Sequence, residues 1–239
     1  MGTVAHVGPM TRTVTDAALM MNVLSLPDTR DWHALPWDGR DYRVGLDDGV
    51  KGLRIAYSAD LGYARVDPEI AAIVKRAVNA FKDLGAHVEA QDPGFEDCGP
   101  LFAAHWFPGA AYVVRNTHPR KRALMDKGLL DTARMGEEIT TAQYMDAMQK
   151  RGALGVLMNR FHESWDLLVT PTLPLAAFEA GKEVSNLLRE KRWTDWSPFS
   201  YPFNLTQQPA ATIPCGLTKQ GLPVGLHIVG PRYADALVL

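Results

Sequence analysis

Apolar positions are most regular between Asp67 and Gly85, where Ile70, Ile73, Val74, Ala77, Val78, Phe81 and Leu84 recur at steps of three and four residues. That period lays one apolar stripe along an α-helix. Asp67 stands at its cap, Pro68 at the first helical position, and Gly85 where a C-terminal stop belongs. Two β-prone runs flank the helix, Leu53 to Ser58 and the alternating Ala86 to Ala90. Together they predict a strand, helix, strand crossover of about 40 residues, the connection that makes two strands parallel.

Upstream, Thr11 to Asp16 is rich in hydroxyls that cap an N-terminus and leads into apolar residues at helical spacing, which predicts a helix over 13 to 26 ended by Pro27. Residues 28 to 51, rich in Asp, Gly and Pro, read as a loop. From about Gly99 to Glu163 the pattern is helical, with segments predicted at 100 to 116, 118 to 135 and 140 to 164; Gly152 and Gly155 weaken the middle of the last. Asp166 to Thr170, closed by Pro171, is a continuous apolar run of the kind buried on both faces of a sheet. Residues 175 to 192 read as a mobile stretch. Beyond them, Ala211 to Cys215 and Pro223 to Val229 flank a turn around Lys219 to Gly221 and predict an antiparallel hairpin, with Pro214 restricting one edge. The expected architecture is α/β with a mixed sheet.

At 239 residues this pattern fits one domain whose folding buries roughly 70% of the unfolded surface, without help from disulfides or a metal. Lys and Arg number 25 against 27 Asp and Glu, scattered among one another, which argues against a polyanion-binding surface. The first residues lack a basic and apolar leader, and no uncharged apolar run is long enough to span a bilayer, so a cytoplasmic protein is expected. In that compartment Cys98 and Cys215 are expected as free thiols. Both ends look cut: Tyr233 to Leu239 begins an apolar-periodic helix that stops without a cap, and Met1 opens straight into an apolar segment.

Most tests for chemistry fail. The sequence has no GxGxxG or GxxxxGK[ST] phosphate cradle, no HExxH, no CxxC and no GxSxG elbow, so neither a nucleotide site, a zinc site nor a hydrolase elbow is recognisable. Cys215 and His227 face each other across the proposed hairpin as a nucleophile and base, but a buried thiol and a core histidine are the stronger reading. Trp193, Trp196, Phe199, Tyr201 and Phe203 crowd the approach to Asn204. Such a run suits the wall of a concave apolar pocket, or equally a cover over the sheet.

Four segments, in order, resemble the amidase signature family. They are Gly2-Thr-Val-Ala-His-Val-Gly-Pro-Met-Thr-Arg12 with Asp16-Ala-Ala-Leu19; Leu53 to Ser58 with Val66-Asp-Pro-Glu69 and Leu84-Gly-Ala86; Leu167-Leu-Val-Thr-Pro-Thr172; and Pro202-Phe-Asn-Leu-Thr-Gln-Gln-Pro-Ala-Ala211 through to Pro231. The resemblance implies part of an α/β/α sandwich with a mixed central sheet, residues 1 to 239 forming one partial domain that lacks the family's N-terminal catalytic portion. It implies a hydrolase of small carboxylic amides in complete form, with no cofactor or metal and no direct contact with nucleic acid or membrane. The family works through a Ser, cis-Ser, Lys triad whose nucleophile lies in a Gly-Gly-Ser-x-Arg context, and no Gly-Gly-Ser occurs here. No catalytic residue therefore carries over. Losing even one oxyanion donor costs about 10² to 10³ in rate, so the chain is expected to be inactive alone. The substrate-pocket candidates are Trp193, Trp196, Phe199, Phe203 and Asn204. Gln207 stands where the family usually has Gly, which implies either a different backbone or a long amide entering empty space. The alternative within the family is the glutamyl-tRNA amidotransferase A subunit, acting with ATP, tRNA and a B subunit; that polypeptide carries an acidic residue near Ser197, which favours a general amidase. A third reading is a non-catalytic binding or partner module. Surface left uncovered by the missing portion predicts a homodimer.

Overall fold

The computed structural model describes residues 2–185, 187, 188 and 190–239. Met1 lies outside the described residues, as do Asn186 and Arg189 of the stretch predicted to be mobile. Five strands, β1 (Arg54–Tyr57), β2 (His87–Ala90), β3 (Leu167–Pro171), β4 (Ala210–Leu217) and β5 (Pro223–Val229), form one sheet in the order β2-β1-β3-β5-β4. β1 runs parallel to both β2 and β3, while β5 is antiparallel to both β3 and β4. The sheet is mixed, as the sequence predicts.

Eight helices are described: α1 (Val14–Leu24), α2 (Pro68–Asp83), α3 (Gly99–Asn116), α4 (Pro119–Arg122), α5 (Lys127–Glu137), α6 (Thr141–Ser164), α7 (Tyr201–Thr206) and α8 (Asp235–Val238). Local chemistry sets their limits. The Asp67 carboxylate accepts the Glu69 N–H at 2.7 Å to start α2, and Gly85 beyond its end takes the left-handed backbone that glycine tolerates. Thr140 and Gln143 close a reciprocal capping box at the head of α6. The single helix predicted over 118 to 135 is instead two, because the Asp126 side chain caps a new helix at the Leu129 N–H and starts α5 afresh.

Helices cover both faces of the sheet. On one, the α2 stripe of Ile70, Ile73, Val74 and Val78 meets Ile55, Val169, Leu226 and Ile228. On the other, Phe102 of α3, Leu154 and Met158 of α6, and Phe203 and Leu205 of α7 bury Ala56, Leu168 and Val229 together with Phe199. Each fully buried side chain of this size contributes about 1.5 to 3 kcal/mol over its exposed state. β3 is buried along its whole length at the centre. Its alignment with β1 is fixed at the edge of the core, where Asp166 accepts from the Arg54 backbone at 2.7 Å and pairs with its guanidinium at 2.9 Å. α5 lies against α3 through Gly136, where any Cβ would fall on the Phe107 carbonyl. By contrast α1 buries only Ala18, leaving Leu19, Met20, Val23 and Leu24 exposed. No helix among the described residues is long and apolar enough to cross a membrane.

Candidate functional site

A cluster of polar side chains lies where the N-terminal segment, α6, α7 and the turn leading into β4 meet. Arg151 projects from α6 and ties them together, donating from Nε to the Leu205 carbonyl at 2.6 Å and from Nη2 to the Thr3 carbonyl at 2.8 Å. His6 Nδ1 donates to Asn204 Oδ1 at 2.8 Å, so the family-like Asn is oriented by a side chain 198 residues away rather than by its own backbone. α7 ends at Gln207 in a left-handed conformation, φ +58°, and its Oε1 accepts from Arg232. Next to it, the Gln208 amide donates to the Gly230 carbonyl at 3.1 Å and to His162 Nε2 at 2.8 Å. His162 bonds the Trp165 carbonyl through Nδ1, which places its proton there and leaves Nε2 as the acceptor. Burial holds its pKa below the usual histidine value, in keeping with a neutral ring.

Two clefts open on this junction. One, of about 880 Å³, is lined by His6, Phe203, Asn204, Gln207, Gln208 and His227. The other, of about 1030 Å³, runs between α3 and α6 past His105, Tyr144, Met148 and Arg151. Thr3, Gln207 and Arg232 border both. A third, of about 470 Å³, lies apart, around Tyr63, Asp97, Arg192 and Tyr201.

The sequence-predicted pocket residues do not share one wall. Phe203 and Asn204 line the 880 Å³ cleft. Phe199 is fully buried in the core. Trp193 packs over Gly128 of α5 and donates from its indole to Thr132 Oγ1 at 3.2 Å, while Trp196 meets Phe178 edge-on at 6.2 Å. Tyr201 stacks on Phe102 at 5.0 Å and faces the third cleft. His6, Arg151, His162, Gln208 and Arg232 are not foreseen from sequence, each being a single polar residue with no local spacing to mark it. One signal is present in α6: Gly152 and Gly155, poor helix formers, face open space along the α3–α6 cleft.

The Cys215 and His227 pair does not form. Thr212, not Cys215, stands opposite His227, and Cys215 sits in the register slip between Pro214 and Gly216. Cys215 packs with the α2-side cluster, whereas His227 turns to the other face, its ring 5.5 Å from Phe203. Burial pushes the His227 pKa down to about 4 and raises both thiols, Cys98 to about 12. Burial thus disfavours the reactive thiolate at both cysteines. Among the described residues no group of three or more His, Cys, Asp or Glu is placed to hold a metal ion. What the junction offers is neutral hydrogen-bonding side chains beside two arginines, which can bind and orient a ligand but supply no activated nucleophile.

The family model described as Amidase matches residues 2–239. An acylamidase of Rhodococcus erythropolis is 34% identical over 242 residues, covering 98% of this chain and 50% of its own. The A subunit of the glutamyl-tRNA(Gln) amidotransferase of Moorella thermoacetica is 31% identical over 262 residues, with 98% of this chain and 52% of its own covered. Among solved structures, a bacterial aryl acylamidase of the amidase signature enzymes superposes with a TM-score of 0.83 at 30% identity, over 97% of this chain and 50% of that one. The chain thus spans about half the length of the relatives it matches, and its sheet and helices share their α/β fold. It belongs to the amidase signature family.

Proposed function

We propose that residues 1 to 239 are the C-terminal portion of an amidase signature domain, contributing the substrate-facing wall of a hydrolase that cleaves carboxylic amides in its complete form and turning over no amide alone. The carrying observation is that nearly the whole chain aligns with half the length of an acylamidase, and that its cleft presents Asn204 and His6, groups able to accept from an amide N–H and donate to its carbonyl. Hydrolysis also needs an activated nucleophile and preorganised oxyanion donors, and the sequence contains no Gly-Gly-Ser segment to supply them. The pocket role extends to Phe203 beside Asn204, with Phe199 in the core cluster behind it, whereas Trp193 and Trp196 pack elsewhere, on Thr132 and Phe178. A homodimer in the cytoplasm belongs to the same reading. The amidotransferase reading has the Moorella relative in its favour, but Ser197, in the region where that relative's family branch carries its acidic residue, spends its hydroxyl on the Thr194 carbonyl.

The test is an anilide assay of the purified chain, alone and co-expressed with a polypeptide carrying the family's Gly-Gly-Ser-x-Arg segment. No turnover alone and measurable turnover from the pair are expected. Turnover by the lone chain at the level of complete amidases overturns the proposal.

A further inference from the structure

The cleft between α3 and α6 has an unusual charge balance. Arg151 and Arg232 both line it, and among the described residues no Asp or Glu does. Among the described residues neither guanidinium has a carboxylate within salt-bridge distance: Arg151 donates to two backbone carbonyls, and Arg232 to Gln207 Oε1 while lying over the face of Tyr233. Their like charges oppose one another, and burial adds to the cost of charging Arg151. An anion between them would relieve both effects. His105 lines the cleft as well, at 6% exposure, its ring packed edge-on against Tyr144 at 5.3 Å. The α6 side of the wall carries an apolar strip: Tyr144, Met148 and Val156 follow one another there, each more than a third exposed, with Gly152 and Gly155 leaving room between them, while neutral polar groups such as Thr140 and Asn159 complete the lining.

We propose that this cleft is a carboxylate-binding subsite for a small acid with an aryl or short alkyl body, the carboxylate held by Arg232 and Arg151, and the body lying on Tyr144, Met148 and Val156. Planar guanidinium groups match a carboxylate in a forked geometry, and the apolar wall separates such a ligand from a bare inorganic anion. Two sources share that chemistry, a free acid such as amide cleavage releases and an amide that itself carries a carboxylate. The inference stands on the chain's own cleft and holds whether or not the chain takes part in hydrolysis.

Calorimetric titration of the full chain at neutral pH and low salt tests it, with benzoate as the free acid, hippurate as the carboxylate-bearing amide, benzamide as the neutral counterpart and inorganic phosphate as the bare anion. Benzoate or hippurate is expected to bind at least about tenfold more tightly than benzamide and phosphate, as a charge-assisted hydrogen bond allows. The tighter of the two names the source. Arg232→Met, at an exposed position, should weaken carboxylate binding about tenfold with thermal stability unchanged. Benzamide or phosphate binding as tightly as the acids, or an Arg232→Met variant that binds them undiminished, overturns the proposal. Neither result bears on amide turnover, so this proposal and the functional one fail independently.

Discussion

Gln207 holds the left-handed backbone that glycine adopts most easily, and its long amide reaches Arg232. A non-glycine residue held there costs energy that glycine avoids. Gln207→Gly is therefore expected to hold or raise stability, by at most about 1 kcal/mol in urea unfolding, while freeing the Arg232 side chain. His227 makes a second prediction at this scale. Its folded pKa, about 4, lies below the ordinary histidine value near 6.5, so between those limits the unfolded chain binds the proton and the folded one does not. Stability is then complete above pH 6.5 and falls as pH drops toward 4, by up to about 1.4 kcal/mol per pH unit from this residue. His105 and His162, also depressed by burial, add in the same direction. Urea midpoints measured across pH 4 to 7 should show a shallower slope for His227→Gln than for the parent. Equal slopes would mean His227 does not remain neutral in the fold.

At the scale of elements, legibility followed periodicity. The α2 crossover and the β3 run were readable because a stripe of period 3.6 and an unbroken apolar run each admit few packings. The division into α4 and α5 was hidden because one capping carboxylate, Asp126, decides it. The aromatic run before Asn204 could not be resolved into pocket and core, since a 3-10 turn at Trp193–Trp196 and the short α7 send successive rings in different directions, with no period to extrapolate. Glycines in helices show the same limit, being identical in sequence and opposite in role. Gly136→Ala should destabilise by about 1 to 3 kcal/mol, because the new methyl meets the Phe107 backbone, which cannot swing aside. Gly152→Ala, with nothing within 4 Å of the added carbon, should stabilise by about 1 kcal/mol through helix propensity. Thermal melts of the two variants should move in opposite directions; a shared direction would contradict the described packing of α5 on α3.

Across the whole molecule, the apolar surface is unevenly finished. Val7 and Met10 are each 95% exposed, and Leu19, Val23 and Leu24 of α1 are exposed as well. β4 is an edge strand eight residues long, and only Pro214 and the register slip beside it interrupt the edge. Patches and edges of this kind drive association. Sedimentation velocity is expected to show a concentration-dependent dimer or larger species, and a Leu19→Glu, Val23→Lys double variant should shift it toward monomer. A parent chain that stays monomeric at high concentration would remove the case for self-association through α1.

The Arg54–Asp166 link also bears on the order in which the molecule can be made. It joins positions 112 residues apart, and the central strand it aligns is synthesised only after the crossover and the whole helical region. On the ribosome, the β1–β2 pair must therefore wait with one bare edge through the synthesis of α3 to α6, an interval of several seconds at ordinary elongation rates. Such long-range closure slows folding and makes the nascent half-sheet a natural client for chaperones that shield strand edges.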